Sequence, residues 1–197
     1  MVWLMHVSAI VGMALGYETW FIEKTPMNLL VSAGLLVVSF PVTGVIPVTL
    51  FSVFFGAGFV AEWVGVNTGL LFGNYAYGAN MGVKAGGVPL LIGINWAVLV
   101  FITGAITDWI KSSIGVKIVA GAAMMVLLDV LMEKSAPAFD FWSFRDGVVP
   151  AWNYICWFLL AALLHGLFHR FRLKGDVVFS ANLLAANFAF FLWCYVR

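Results

Sequence analysis

Apolar stretches close to the length of a membrane-spanning helix recur along this chain, and most of the turns between them are short. About 20 apolar residues in helical form cross the hydrocarbon core of a bilayer. Hydrophobic residues make up 63% of the 197 residues and charged residues only 10%, whereas soluble domains carry roughly 25% charged residues. Backbone groups in hydrocarbon must be satisfied within each helix. The sequence therefore excludes a water-soluble globule and predicts an all-α polytopic transmembrane helix bundle, with residues 1–197 forming a single integral membrane domain.

Breaks at proline, glycine and charged clusters divide the chain into about seven predicted helices, and a count of six to eight is compatible with the same pattern. The predicted helices are Val2–Phe21, Met27–Phe40, Val45–Val64, Pro89–Asp108, Ile114–Glu133, Val149–Arg170 and Val177–Val196. Pro41, Gly44 and Pro47 interrupt the chain after the second helix. The second and third segments therefore form either a short helical hairpin or one broken, partly re-entrant element.

The first apolar segment is expected to stay in the protein as a helix. It has no basic stretch before the apolar run and no Ala-x-Ala cleavage site after it, so it does not match a secretory signal peptide. The formal net charge of +1 provides no basic surface for nucleic acid. Cys156 and Cys194 lie inside apolar runs, where an unpaired thiol usually behaves as a small core residue.

Two connections differ from the others in length and composition. Gly65–Val88 is rich in Gly and Tyr, and Lys134–Val148 is rich in Phe, Trp and acidic residues. Only the fourth and fifth predicted helices separate them, and an even number of crossings returns the chain to the side from which it started. We therefore expect both connections at one membrane face. The basic cluster at residues 170–174 favours a cytoplasmic location for the turn before the last helix, with the two connections on the opposite side.

Three acidic residues within or beside apolar runs are the candidates for chemistry. An ionisable group at membrane depth costs at least about 2.5 kcal/mol on insertion scales, so it needs a partner or a function. Glu62 lies near the end of the third predicted helix, and Asp129 and Glu133 lie one turn apart near the end of the fifth. All three approach the face that carries the two connections. Alternatively, each pairs with Lys84, Lys134 or Arg145, or is hydrated at the interface.

Aromatic and amide side chains surround these acids in the sequence. The first connection contains Tyr75 and Tyr77, and Asn95 follows it in the fourth helix. The second contains Asp140 and Trp142, and Asn153 and Trp157 share a face of the sixth helix. Aromatic rings beside acids are typical of a site for a cationic or polyene ligand, because ring faces stabilise positive charge and pack on conjugated chains. The alternative is an aromatic belt at the membrane interface.

Other familiar sites are disfavoured by the sequence. No phosphate-binding or dinucleotide-binding loop is present. His165 and His169 have metal-ligand spacing, but no HExxH glutamate adjoins them, and the basic turn that follows favours interfacial anchoring. Asp129 and Glu133 have one D-x-x-x-D-like spacing without a visible second, which disfavours Mg²⁺-dependent prenyl transfer. The sequence thus predicts neither a metal site nor a cofactor site.

The same two segments resemble the integral-membrane carotenoid-biosynthesis proteins, a family that includes the CruF-type carotenoid hydratases. The residues that carry the resemblance are Glu62, Gly65, Thr68-Gly69, Phe72-Gly73, Tyr75, Tyr77, Gly87-Val88-Pro89, Asp129, Glu133, Pro137, Trp142, Pro150, Asn153 and Trp157. The resemblance extends from about the third to the sixth predicted helix.

The resemblance implies a multi-helix, cofactor-free enzyme that adds water across the terminal C1–C2 double bond of an acyclic carotenoid. Asp129 or Glu133 would then donate the proton, and Glu62 would tune the donor or orient the water. We expect the remaining predicted site residues to contact the substrate or the water; they are Tyr75, Tyr77, Asn95, Asp140, Trp142, Asn153 and Trp157.

The resemblance also implies a lipophilic carotenoid partner within the bilayer and a location in the cytoplasmic membrane of a prokaryote. Oligomerisation and the exact carotenoid stay open. Two other functions are compatible with the sequence: a different isoprenoid-lipid enzyme on the same scaffold, and a carotenoid- or quinone-binding membrane subunit without catalytic activity.

Overall fold

The structure, a computed structural model, describes residues 1–40 and 44–197. Its helices are α1 (Val2–Ala14), α2 (Glu18–Ile22), α3 (Thr25–Ser39), α4 (Val45–Thr68), α5 (Leu90–Asp108), α6 (Ile114–Ser135), α7 (Ala151–Arg170) and α8 (Val177–Val196). The described residues also form four short strands between these helices: β1 (Tyr75–Tyr77), β2 (Lys84–Ala85), β3 (Val88–Pro89) and β4 (Trp142–Phe144). The prediction of an all-α polytopic bundle is confirmed.

Six helical segments of the described residues are long and apolar enough to cross a membrane, if α2 and α3 are counted as the one segment Glu18–Ser39. This count lies within the predicted range. From α5 to α8, the observed helix ends agree with the predicted ones to within two residues. The third predicted helix is longer than expected, because α4 continues to Thr68 and ends where Gly69 adopts a φ of +69°.

The prediction of one helix over Val2–Phe21 is wrong. Helix α1 ends at Ala14 because Gly16 adopts a φ of +93°, a left-handed conformation that glycine takes without steric cost. The N–H groups of Gly16 and Tyr17 then donate to the carbonyls of Met13 and Gly12, as in a Schellman motif. With 13 residues, α1 is about 20 Å long and too short to cross the hydrocarbon core.

The interruption between the second and third predicted helices falls partly outside the described residues, since Pro41 lies there. On its far side, Gly44 precedes α4, and Pro47 occupies the first turn of that helix. Proline is tolerated in a first turn because the N–H that it lacks would have no partner within the helix.

Helix α5 is the centre of the bundle and packs against α3, α4, α6, α7 and α8. It is the most buried of the six candidate spans, and its side chains Trp96, Val100 and Ile102 are fully buried. The apolar residues that surround α5 on all sides explain why its sequence shows no polar face.

The two unusual connections meet at one face of the bundle, as the even number of crossings between them predicts. Strands β1 and β4 pair antiparallel, with Tyr77 opposite Trp142. Further bonds join the connections: the N–H of Gly78 donates to the carbonyl of Phe141, and the N–H of Arg145 donates to the carbonyl of Asn74. The paired connections form a cap over the ends of α4 and α6.

A glycine-to-alanine pair in α4 tests how closely the central helices pack. A Cβ at Gly58 would overlap Cβ and Cγ of the buried Trp96, which cannot move aside, whereas a Cβ at Gly56 meets nothing within 4 Å. We expect Gly58→Ala to destabilise the protein by about 1–3 kcal/mol. Gly56→Ala should stay within about 1 kcal/mol of the wild type. Thermal unfolding of both variants in detergent measures the difference, and equal melting temperatures would contradict this packing.

Candidate functional site

The three acidic residues predicted from the sequence meet beneath the paired connections. Glu62 comes from α4, and Asp129 and Glu133 come from successive turns of α6. All three side chains are buried. They line a single cavity of about 20 Å³, which we call the acid cavity.

Glu62 accepts hydrogen bonds from three neutral donors. The phenols of Tyr75 and Tyr77 donate to Glu62 Oε2 over 2.5 Å and 2.8 Å, and Trp96 Nε1 donates to Glu62 Oε1 over 3.0 Å. Donors from a connection and from the central helix thus satisfy both oxygens of this carboxyl group, which offsets much of the cost of burying it.

The local geometry of β1 brings both tyrosines to Glu62. Tyr75 and Tyr77 are two residues apart in an extended strand, so their side chains leave the same face. The Tyr75 hydroxyl also approaches Gly65, where an added Cβ would lie 2.8 Å from the phenol oxygen. The absence of a side chain at Gly65 is therefore what allows Tyr75 to reach the carboxyl group.

Asp129 and Glu133 share a donor on α7. Asn153 Nδ2 donates to Asp129 Oδ2 over 2.9 Å and to Glu133 Oε1 over 3.2 Å. Trp142 Nε1, on β4, donates to Glu133 Oε2 over 2.9 Å. Both oxygens of Glu133 are therefore occupied by donors.

Asp129 differs from the other two acids in one respect. Its Oδ1 is buried and has no hydrogen-bond partner among the described residues. A buried carboxyl oxygen without a partner costs about 1–3 kcal/mol or more, so such an atom calls for an explanation, and a bound ligand or water is one.

None of the three acids has a basic partner among the described residues. The ion pairs there are Lys117–Asp108, His169–Asp108 and Arg197–Glu18. The Nζ atom of Lys84 donates instead to the carbonyl of Tyr77, and that of Lys134 donates to the carbonyl of Tyr195. The sequence left open the alternative that the acids form ion pairs with nearby cations. The structure does not contain these ion pairs among the described residues.

The structure brings most of the predicted site residues to the acid cavity. Those that line it are Glu62, Tyr75, Tyr77, Asn95, Asp129, Glu133, Trp142, Asn153 and Trp157. Asp140 is not among the lining residues. It adopts a φ of +52°, its side chain is exposed, and its Oδ2 accepts from the N–H of Ala79, so Asp140 joins the two connections to each other.

Sequence reasoning missed several residues that shape the site. Ile92, Met132 and Phe144 line the acid cavity. Trp96 donates to Glu62 and stacks on Trp157, with ring centroids 4.1 Å apart. One signal pointed to Trp96: an indole N–H in the middle of an apolar helix requires an acceptor, and Glu62 is one of the few buried acids.

The phenols of Tyr75 and Tyr77 are held in their protonated form. Burial and the neighbouring charge of Glu62 raise the pKa of Tyr75 and the pKa of Tyr77 well above the usual value for tyrosine. Both phenols therefore act as hydrogen-bond donors toward Glu62 throughout the physiological pH range.

His165 and His169, which the sequence assigned to interfacial anchoring, are both buried between helices. Thr103 Oγ1 lies 2.8 Å from His165 Nε2, and Thr107 Oγ1 lies 3.2 Å from His169 Nε2. The repeat of four residues on α5 and on α7 produces these two matched contacts. Within residues 1–40 and 44–197, no group of three His, Cys, Asp or Glu side chains is arranged to hold a metal ion.

Comparison with known protein families identifies the family of this chain. The family model described as carotenoid biosynthesis protein matches residues 25–196. This chain belongs to that family. The resemblance seen in the sequence is thereby confirmed at the level of the family, and the match extends beyond the segments that carried it. Searches of curated proteins and of solved structures return no significant match.

Alkaline titration tests the environment of the two tyrosines. Because their pKa is raised on folding, they stabilise the protein fully below the ordinary tyrosine pKa of about 10, and this contribution declines as the pH rises further. We expect wild-type protein and the Tyr75→Phe/Tyr77→Phe variant to show the same tyrosinate absorbance up to about pH 11. Additional tyrosinate in the wild type near pH 10, while the protein is still folded, would contradict the assignment.

Proposed function

We propose that this protein is a carotenoid 1,2-hydratase, which adds water across the terminal C1–C2 double bond of an acyclic carotenoid end group and yields a tertiary 1-hydroxyl. Membership of the carotenoid biosynthesis family supports the substrate class. The observation that carries the proposed reaction is Asp129 Oδ1, a buried carboxyl oxygen without a partner among the described residues, on a residue that lines a cavity large enough for water.

Hydration of a trisubstituted alkene requires three things from a protein. A positioned acid protonates one alkene carbon, the surroundings stabilise the tertiary cation that results, and a water molecule is held against the other carbon. The reaction exchanges no electrons and transfers no group other than the elements of water. The proposed mechanism therefore uses side chains alone.

Asp129 is the proposed proton donor. Glu62 accepts from three donors and Glu133 from two, so their oxygens are engaged in holding the site together. Asp129 uses Oδ2 to accept from Asn153 and keeps Oδ1 for the substrate. In its carboxylic acid form Asp129 would donate the Oδ1 proton to C2 as the π pair forms the new C–H bond.

The water would occupy the acid cavity. A volume of about 20 Å³ accommodates one water molecule, since about 10–15 Å³ suffices. Asn95 and Asn153 line this cavity and supply amide groups that can hold the water. Its oxygen would bond to C1, and the proton it releases would return to the carboxylate of Asp129, directly or through Glu133, which restores the starting state.

Aromatic faces would stabilise the cation at C1. Trp142, Tyr77 and Trp157 line the acid cavity. Tyr77 and Trp142 donate to the acids through a hydroxyl and an indole N–H at the ring edge, which does not use their ring faces, and Trp157 stacks one of its faces on Trp96. A cation within about 6 Å of a free ring face is stabilised by about 0.5–2 kcal/mol. Glu62, with its three donors, would fix the tyrosine positions, and its negative charge would favour a cation nearby.

The substrate would reach this site from the bilayer. We propose a lipophilic carotenoid as the partner, and the cytoplasmic membrane of a prokaryote as the location. The six candidate spans support membrane insertion.

Expression in lycopene-producing cells tests the reaction. Pigments extracted from cells with the wild-type protein should include products heavier by the mass of one water per modified end, detected by chromatography and mass spectrometry. Pigment that copurifies with the protein but stays unmodified would instead favour a non-catalytic carotenoid-binding subunit.

Substitution of the acids tests the assignment of roles. Asp129→Asn keeps the shape of the side chain but removes the acid, so we expect hydration to fall by about 10²–10⁴-fold, the contribution of a general acid. Asp146→Asn removes an exposed carboxyl outside the site and should leave product yield unchanged. Protein levels are compared by immunoblot. Hydration at the wild-type rate by Asp129→Asn would exclude Asp129 as the donor, and a loss confined to Glu133→Gln would move that role to Glu133.

A further inference from the structure

A second and larger cavity lies beside the acid cavity. Its volume is about 200 Å³, and side chains from α1, α2, α3, α5, α6 and α8 line it. Most of its surface is apolar, and Phe21, Leu128, Phe190 and Phe191 contribute to its walls. We call it the apolar cavity.

The two cavities share part of their lining. Ile92, Asn95, Met132 and Trp142 line both of them. These four side chains come from α5, α6 and β4. Helix α6 carries Asp129 and Glu133, while Trp96 on α5 and Trp142 on β4 donate to Glu62 and Glu133. A molecule in the apolar cavity would therefore contact four of the residues that line the acid cavity together with Asp129.

We infer that the apolar cavity is the binding site for the acyclic end of the carotenoid chain, and that the acid cavity holds only the water. This inference rests on the proposed function, because it assigns one cavity to each reactant of the hydration. The four shared side chains would form the boundary across which the terminal double bond meets Asp129.

The volumes support this division. A cavity of about 20 Å³ takes one water molecule but not an isoprenoid end, whereas an apolar cavity of about 150 Å³ takes a molecule as large as benzene. The apolar cavity, at about 200 Å³, has room for the end group and the first carbons of the chain. A full-length carotenoid exceeds it, so the remainder of the chain would lie outside the protein.

The outer residues of the apolar cavity indicate where the chain would leave. Trp20 on α2 and Met27 on α3 line the cavity, yet each is 54% exposed, so the cavity is open to the surroundings between them. Counting crossings back from α4 places the start of α2 at the same membrane face as the acids. A Trp with Lys24 over its ring is typical of the headgroup boundary. The chain would therefore enter sideways from the lipid near that face, one end at a time.

Filling the apolar cavity without touching the acids tests the inference. Leu29 lines the cavity, whereas its neighbour Leu30 on α3 does not and is 53% exposed. Leu29→Trp should block the cavity, and Leu30→Trp is the matched control toward lipid. Ala9→Phe, with Val7→Phe as its control on α1, provides an independent second pair.

Binding is measured separately from turnover. Each substitution is combined with Asp129→Asn and produced in lycopene-making cells, and lycopene retained per purified protein is read from its absorbance. We expect the two blocking variants to retain at least about tenfold less lycopene than their controls, about 1.4 kcal/mol in binding free energy. Equal retention by folded blocking and control variants would overturn the inference.

Turnover distinguishes the inference from the proposed function. With Asp129 intact, the blocking variants should lose hydration of lycopene. If the wild type hydrates lycopene and the blocking variants do so equally, the inference fails while the proposed function stands. If the wild type retains lycopene unmodified and the blocking variants lose it, the hydratase proposal fails while the chain-binding site stands.

Discussion

The membrane face that carries the two paired connections depends on the hydrogen bonds to Glu62. These hydrogen bonds offset the free-energy cost of burying its carboxyl group. A carboxyl group buried among apolar helices is costly unless donors surround it. Two of its three donors, Tyr75 and Tyr77, belong to the first long connection, and the third, Trp96, belongs to the central helix. The acid thus ties a connection that would otherwise lie at the surface to the core of the bundle, and Gly65 leaves the space in which this happens.

Strand pairing extends the same arrangement to the second pair of acids. Because β1 lies antiparallel to β4, the strand that carries the tyrosines also positions Trp142, which donates to Glu133. Asn153 on α7 then bridges Glu133 and Asp129. The donors are thereby distributed unevenly, and one oxygen of Asp129 remains without a partner among the described residues. This asymmetry distinguishes three acids that look equivalent in the sequence.

The two cavities differ in size and polarity, as do the two reactants of a hydration, water and a carotenoid end. One is small and bordered by acids and amides, and the other is larger, apolar and open toward Trp20 and Met27. Helix α1, too short to cross the membrane, packs against α8 and helps to close the larger cavity. The break at Gly16, which shortens this helix, therefore also shapes the apolar cavity.

The sequence by itself determined the bundle, most helix ends, the meeting of the two connections at one face and the family resemblance. These follow from hydrophobic length, from the parity of crossings and from residue spacing, which do not depend on how helices pack. Only the tertiary structure decided that Asp140 joins the connections, that His165 and His169 are buried against threonines and that Trp96 supports Glu62. The position of the apolar cavity beside the acid cavity was likewise decided only there. Those features depend on which helix faces pack against each other and on the volume left between the helices. The spacing of residues along the chain specifies neither the packed faces nor this volume.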